Sequence, residues 1–195
     1  MGIHASGGQH PHWNYFIALE QDLERASRYV EFAEPNFPTY SLEFAHLMFA
    51  AASEVEVVLK RFCARFAPKE PTENINDLKK IVLGGDQGDD YRLKGLPKRM
   101  VSVPRFGLEL QPWKNWSGKK NPDWWKAYNA VKHNRHERFT DANLHNALNA
   151  VGALFVLSLE LACRPESPDD GGLQAPYVML AHHIDPKPRL FTIPL

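Results

Sequence analysis

Sulfur is scarce in this sequence: Cys63 and Cys163 are the only cysteines among 195 residues. Each sits in an apolar helical pattern, beside Phe62 and Ala162, so both read as buried free thiols rather than as a disulfide framework. Net charge is missing as well, since Lys+Arg and Asp+Glu count 23 each. A neutral chain has no bulk field to draw nucleic acid or an anionic membrane, so any such contact has to come from a local cluster. The nine histidines add positive charge only in mildly acid conditions. Met1 to His12 has no basic-then-apolar leader, and no apolar run reaches the roughly 20 residues that span a bilayer. A cytoplasmic location without membrane contact is the expectation. Gly-x-Ser-x-Gly, Gly-x-x-x-x-Gly-Lys and Gly-x-Gly-x-x-Gly are all absent, which leaves no support for motif-bearing serine hydrolases, P-loop proteins or dinucleotide folds.

What is present fits one mainly α-helical domain, and the length is enough to bury a core. Residues 1–12 read as a flexible tail; Met1 to Ser6 matches the myristoylation pattern, and Gly2-Ile3-His4 would chelate copper once Met1 is removed, but a mobile Gly/His stretch is the plainer reading. The bundle itself is expected over 13–164. Leu19, Leu23, Ala26 and Val30 make one apolar stripe and predict a helix over 13–32, broken by Pro35 and Pro38. A second helix over 40–66, capped by Thr39 or Ser41, carries apolar residues on more than one side and should be the most buried. Residues 75–82 predict a short helix, and 84–90 (GGDQGDD) a loop. Within an irregular insertion over about 84–120, residues 100–103 and 106–110 predict a small extended or β appendage around Pro104. Asn121-Pro122-Asp123 starts a helix that runs to about Arg135, and Thr140 caps another over 140–163. Residues 165–195, rich in proline, predict an extended tail packed on the body.

The densest chemistry lies between Trp124 and Arg138. On one continuous helix Trp125, Asn129, His133 and His136 share a face, while Tyr128, Lys132 and Arg135 share the adjoining one. An imidazole moves protons near neutral pH, flanking cations hold phosphate, and aromatic rings stack on bases. A Trp/Tyr/Val helix with interleaved cations is equally the pattern of an ordinary amphipathic helix with a structural histidine. His133 and His136, with His145 nearby, are a thin basis for metal, because neither Cys-x-x-Cys nor His-Glu-x-x-His is present. Neither a metal nor another cofactor is expected.

At these residues the chain resembles the HEPN superfamily, whose motif is an arginine, four to six residues and a histidine, often with asparagine after the arginine. Tyr128-Asn129-Ala130-Val131-Lys132-His133 supplies the asparagine and the histidine at that spacing, with tyrosine where the arginine stands. A second register, Arg138 with His145, satisfies the spacing literally, although Phe139 follows the arginine. The resemblance implies a helical bundle, a homodimer, and binding of RNA or a nucleotide, with metal-independent RNA cleavage in stress, toxin–antitoxin or phage-defence settings. It implies His133 as acid or base, Asn129 to orient it, Arg135 or Lys132 to hold the phosphate, and Tyr128, Trp125 and Arg138 as further substrate contacts. The alternative is a helical protein–protein interaction module without catalysis.

Overall fold

The computed structural model describes residues 11–84, 93–162 and 187–194. The expectations for residues 1–10, for most of the 84–90 loop, for Cys163 and for most of the proline-rich tail lie outside them. The chain is mainly α-helical with a small two-stranded appendage. Its helices are α1 (Pro11–Ala26), α2 (Leu42–Phe66), α3 (Ile75–Leu83), α4 (Asp123–His133), α5 (Arg135–Arg138) and α6 (Leu144–Ala162). Strands β1 (Val101–Val103) and β2 (Leu108–Leu110) form the appendage.

Helix α6, and not α2, is the most buried element. Every position from Ala147 to Glu160 is buried, whereas α2 exposes Leu42, His46, Val57, Lys60 and Arg61 among others. The reason is compositional. Between Leu144 and Leu161 the polar residues are His145, Asn146, Asn149, Ser158 and Glu160, so the stretch 150–157 has no side that can face water and has to be walled all round. That window is long and apolar enough to cross a membrane, but 83% of it is buried in the fold, as in a core helix of a globular domain. Helices α1, α2 and α4 pack on it. The remaining side is closed where Gly152 faces Pro112, Leu110 and Phe191; a β-carbon there would sit 3.3 Å from the Pro112 ring.

Helix α1 ends at Ala26, six residues earlier than its stripe predicts. The Ser27 hydroxyl donates to the Glu24 carbonyl at 2.7 Å, a local bond that competes with helix continuation. Beyond it Tyr29 lies exposed, and Phe32 turns back to pack on Phe106, ring centroids 4.9 Å apart. Helix α2 starts where Ser41 accepts from the Phe44 N–H at 3.1 Å. Helix α3 has a full capping box between Asn74 and Asp77. Strands β1 and β2 pair antiparallel, Val101 with Leu110 and Val103 with Leu108, all four buried. The connection is a 3-10 turn over Pro104–Phe106 that closes on Gly107 at φ 61°, a left-handed position that glycine takes without strain.

The two caps expected around the later helices fall elsewhere. Helix α4 begins one residue after Pro122, without a side-chain cap from Asn121. Thr140 does not cap α6: residues 139–141 form a 3-10 turn and Asn143 accepts from the Asn146 N–H at 3.0 Å. The first free amides of α6 go to the chain before α2, Leu144 to the Thr39 carbonyl (2.9 Å) and His145 to that of Phe37 (3.3 Å). The local cap thus moves from Thr140 to Asn143, and tertiary acceptors take the two amides before it closes.

Residues 187–194 form a strap. Thr192 and Ser102 exchange two backbone hydrogen bonds of 2.9 Å, which extends the hairpin edge. The Glu20 carboxylate, 1% exposed, accepts the backbone N–H groups of Arg189 (2.8 Å), Leu190 (2.8 Å) and Phe191 (3.1 Å). Desolvation outweighs those three bonds and holds its pKa above 4.5, with Glu24 pushing the same way.

Two outcomes follow for stability. Val55→Asp places an unpaired charge at a fully buried position of α2, a cost of several kcal/mol against a total of about 5–15, so chemical denaturation should find it unfolded or nearly so. Glu20→Ala leaves three amides without their acceptor and should cost about 3 kcal/mol in the same measurement. Because the folded state binds the Glu20 proton more tightly than the unfolded chain, stability is lost as pH rises from 4.5 through the folded value. The wild-type advantage over Glu20→Ala should therefore narrow with rising pH across that window; a widening advantage contradicts the assignment.

Candidate functional site

Helix α4 is fixed from within by aromatic packing. Trp124 donates its indole N–H to the Pro112 carbonyl at 2.8 Å and meets Trp113 edge-on at 5.5 Å. Trp125 packs on Tyr128, and Tyr128 meets Phe49 of α2 edge-on at 5.5 Å. Trp125 and Tyr128 are 8% and 7% exposed. Neither presents a free ring face of the kind a base would stack on; both anchor the helix to the bundle. The Tyr128 hydroxyl still reaches the surface chemistry, since Lys132 donates to it at 3.3 Å.

The helix does not continue to Arg135. Asn134 leaves helical geometry (φ −133°, ψ 49°), and α5 restarts as a single turn. His136 and Arg138 are therefore displaced from the face they would occupy on one unbroken helix. Every residue from Lys132 to Arg138 is exposed. His133 and His136 form no side-chain hydrogen bond among the described residues, so neither is a histidine locked to a carbonyl. Asn129 turns back along its own helix, donating to the Trp125 carbonyl at 2.9 Å, and does not hold His133.

The cations differ from one another. Lys132 lies over the Tyr128 ring (5.4 Å to its centre) and Arg135 over the Phe49 ring (5.3 Å). Neither has a carboxylate partner among the described residues. Arg138 is spent on Asp141, with Nε at 2.9 Å and Nη2 at 2.6 Å from one oxygen. What the segment offers is an exposed strip with two unpaired cations and two free imidazoles, backed by aromatic rings.

The two residues of the second register have different partners. Arg138 pairs with Asp141, while His145 lies against Phe37 (ring centroids 4.9 Å) and lines a cleft of about 290 Å³. That cleft also gathers Asp123, Lys114, Glu109 and Asn149, none of which the motif spacing points to. His145 and Asn149 stand four apart on α6 and were legible as one helical face; Asp123 and Lys114 arrive from distant parts of the chain. Hydrogen bonding from Lys126 leads the effects that hold Asp123 below 3.8, helped by Asn115 and Lys114. Desolvation against Phe37 pulls His145 below 6.5, Asp123 pulls it up and Lys114 down. Among the described residues no group of three or more His, Cys, Asp or Glu side chains converges as a metal site would require.

Comparison of the chain with protein-family models, with curated proteins and with solved structures gives no match in any of the three.

The cleft makes a clear prediction by histidine NMR. His145 should titrate below 6.5; Asp123→Asn should lower its midpoint further and Lys114→Ala should raise it. A midpoint at or above the free-imidazole value would show that the ring is not desolvated against Phe37.

Proposed function

We propose that the chain binds RNA along the exposed strip from Lys132 to Arg138, as a HEPN-like protein. The observation that carries this reading is the pair Lys132 and Arg135, each exposed, each seated over an aromatic ring, and each without a carboxylate partner among the described residues. In a chain of zero net charge such a local concentration is the feature that phosphate would find. The resemblance at Asn129 and His133 extends the reading to cleavage. The ribose 2′-oxygen would form a bond to the adjacent phosphorus as the bond to the 5′-oxygen breaks. One imidazole takes the 2′ proton and another group returns a proton to the leaving oxygen. His133 serves one of these roles, and the same residue of a second copy, related by a twofold axis, serves the other. Lys132 and Arg135 hold the phosphate in place of the arginine that Tyr128 replaces.

A second reading, a helical interaction module without catalysis, is favoured by two particular contacts. Asn129 is committed to the Trp125 carbonyl, and Tyr128 is buried against Phe49. An arginine's fixed charge and fork of donors have no counterpart at that position.

The readings part in one set of assays on the purified chain. Under the first, RNA is retained at low salt, and Lys132→Ala and Arg135→Ala each weaken binding about tenfold and reduce the salt slope by about one. Cleavage, where it occurs, persists in EDTA, leaves 2′,3′-cyclic phosphate ends and is abolished by His133→Ala with the helical circular dichroism unchanged; His145→Ala leaves it intact. Light scattering at high micromolar concentration should find a dimer. Wild-type protein that neither binds nor cuts an RNA pool at low salt establishes the interaction module instead.

A further inference from the structure

A second concave surface lies apart from the His133 strip. It is a cavity of about 600 Å³ whose wall includes Lys79 and Lys80 of α3, and Lys94 and Lys98 from the segment before β1. Its floor is apolar, formed by Leu83, Pro97 and Trp116. Among the described residues no carboxylate lines it and none pairs with these four lysines. Asp77, the acidic residue of α3, is taken by the Asn74 cap. Four lysine side chains therefore line one recess in a chain whose formal charge sums to zero.

Lys79 is the half-buried member: withdrawal from water holds its pKa below 10.5, and it donates to the Gly118 carbonyl. The Trp116 ring, 1% exposed, forms part of that floor. The volume falls in the range of small-molecule sites. Lysine acts as a compact point charge with three donors, suited to several tetrahedral anionic groups in a row and less to one planar carboxylate.

We propose that this cavity binds a polyphosphate group, presented either as inorganic triphosphate or by a nucleoside triphosphate. The lysines neutralise the phosphoryl oxygens. The site is separate from the Lys132–Arg138 strip and does not depend on the RNA reading.

Calorimetry on the full chain at low salt tests this with sodium triphosphate, ATP and sulfate at matched ionic strength. Saturable one-to-one binding of triphosphate is expected, at least tenfold tighter than sulfate. Lys94→Glu combined with Lys98→Glu, both at exposed positions where folding is not at risk, should weaken it about 100-fold, near tenfold for each charge-assisted hydrogen bond removed. Arg135→Ala should leave it unchanged, which separates this site from the strip. ATP binding as tightly as triphosphate assigns recognition to the phosphates alone; tighter ATP binding adds the nucleoside to what the cavity holds. Triphosphate binding no tighter than sulfate, or binding that survives the double charge reversal, overturns the proposal.

Discussion

Enclosure of α6 is the constraint on which the rest of the structure depends. A helix whose middle stretch, 150–157, is apolar on every side cannot lie on a surface, and the chain meets that demand with unlike pieces. Helices α1, α2 and α4 cover three sides. The hairpin and the strap cover a fourth, meeting α6 at Gly152, where the absent side chain lets Pro112 and Phe191 approach closely. The small β appendage, only marginal as two isolated strands, is stable here because its inner row of Val101, Val103, Leu108 and Leu110 belongs to the same core.

This arrangement also decides where chemistry can sit. Helix α4 spends its aromatic residues inward, so Trp124, Trp125 and Tyr128 act as anchors. Its cationic end projects past the bundle, and the break at Asn134 turns the chain outward again before α6 begins. The surface chemistry of 132–138 is thus a by-product of a helix that is a wall for most of its length.

Much of the fold was legible because periodicity is a local property. The stripes of α1, α2, α4 and α6, the short α3 and the paired extended pieces around Pro104 all lie where their residues place them. The departures have long-range causes. Helix α1 stops at Ala26 because Ser27 bonds back to Glu24 and Phe32 is needed under Phe106. The start of α6 shifts from Thr140 because Thr39 and Phe37 supply acceptors that no neighbouring residue reveals. The relative burial of α2 and α6 was readable from composition, since α6 has few polar positions, but the number of apolar residues on the longer α2 concealed it. The candidate strip was legible as a cluster of residue types. Its geometry was not, because one non-helical residue at 134 separates His133 from His136. The lysine cavity and the His145 cleft are assembled from segments far apart in sequence, and spacing rules have no access to them.

The bond between Glu20 and the strap spans 171 positions of sequence. During synthesis at about 5–20 residues per second, α1 waits on the order of 10 s before residues 189–191 are made. Until then a carboxylate destined for burial has no donors, and the side of α6 that Phe191 covers is open. The nascent chain can assemble helices in that interval, but its apolar centre cannot be sealed. Closure of the domain therefore waits for the strap to leave the ribosome, and a stall before that point would display an open bundle to whatever chaperone or protease stands at the exit.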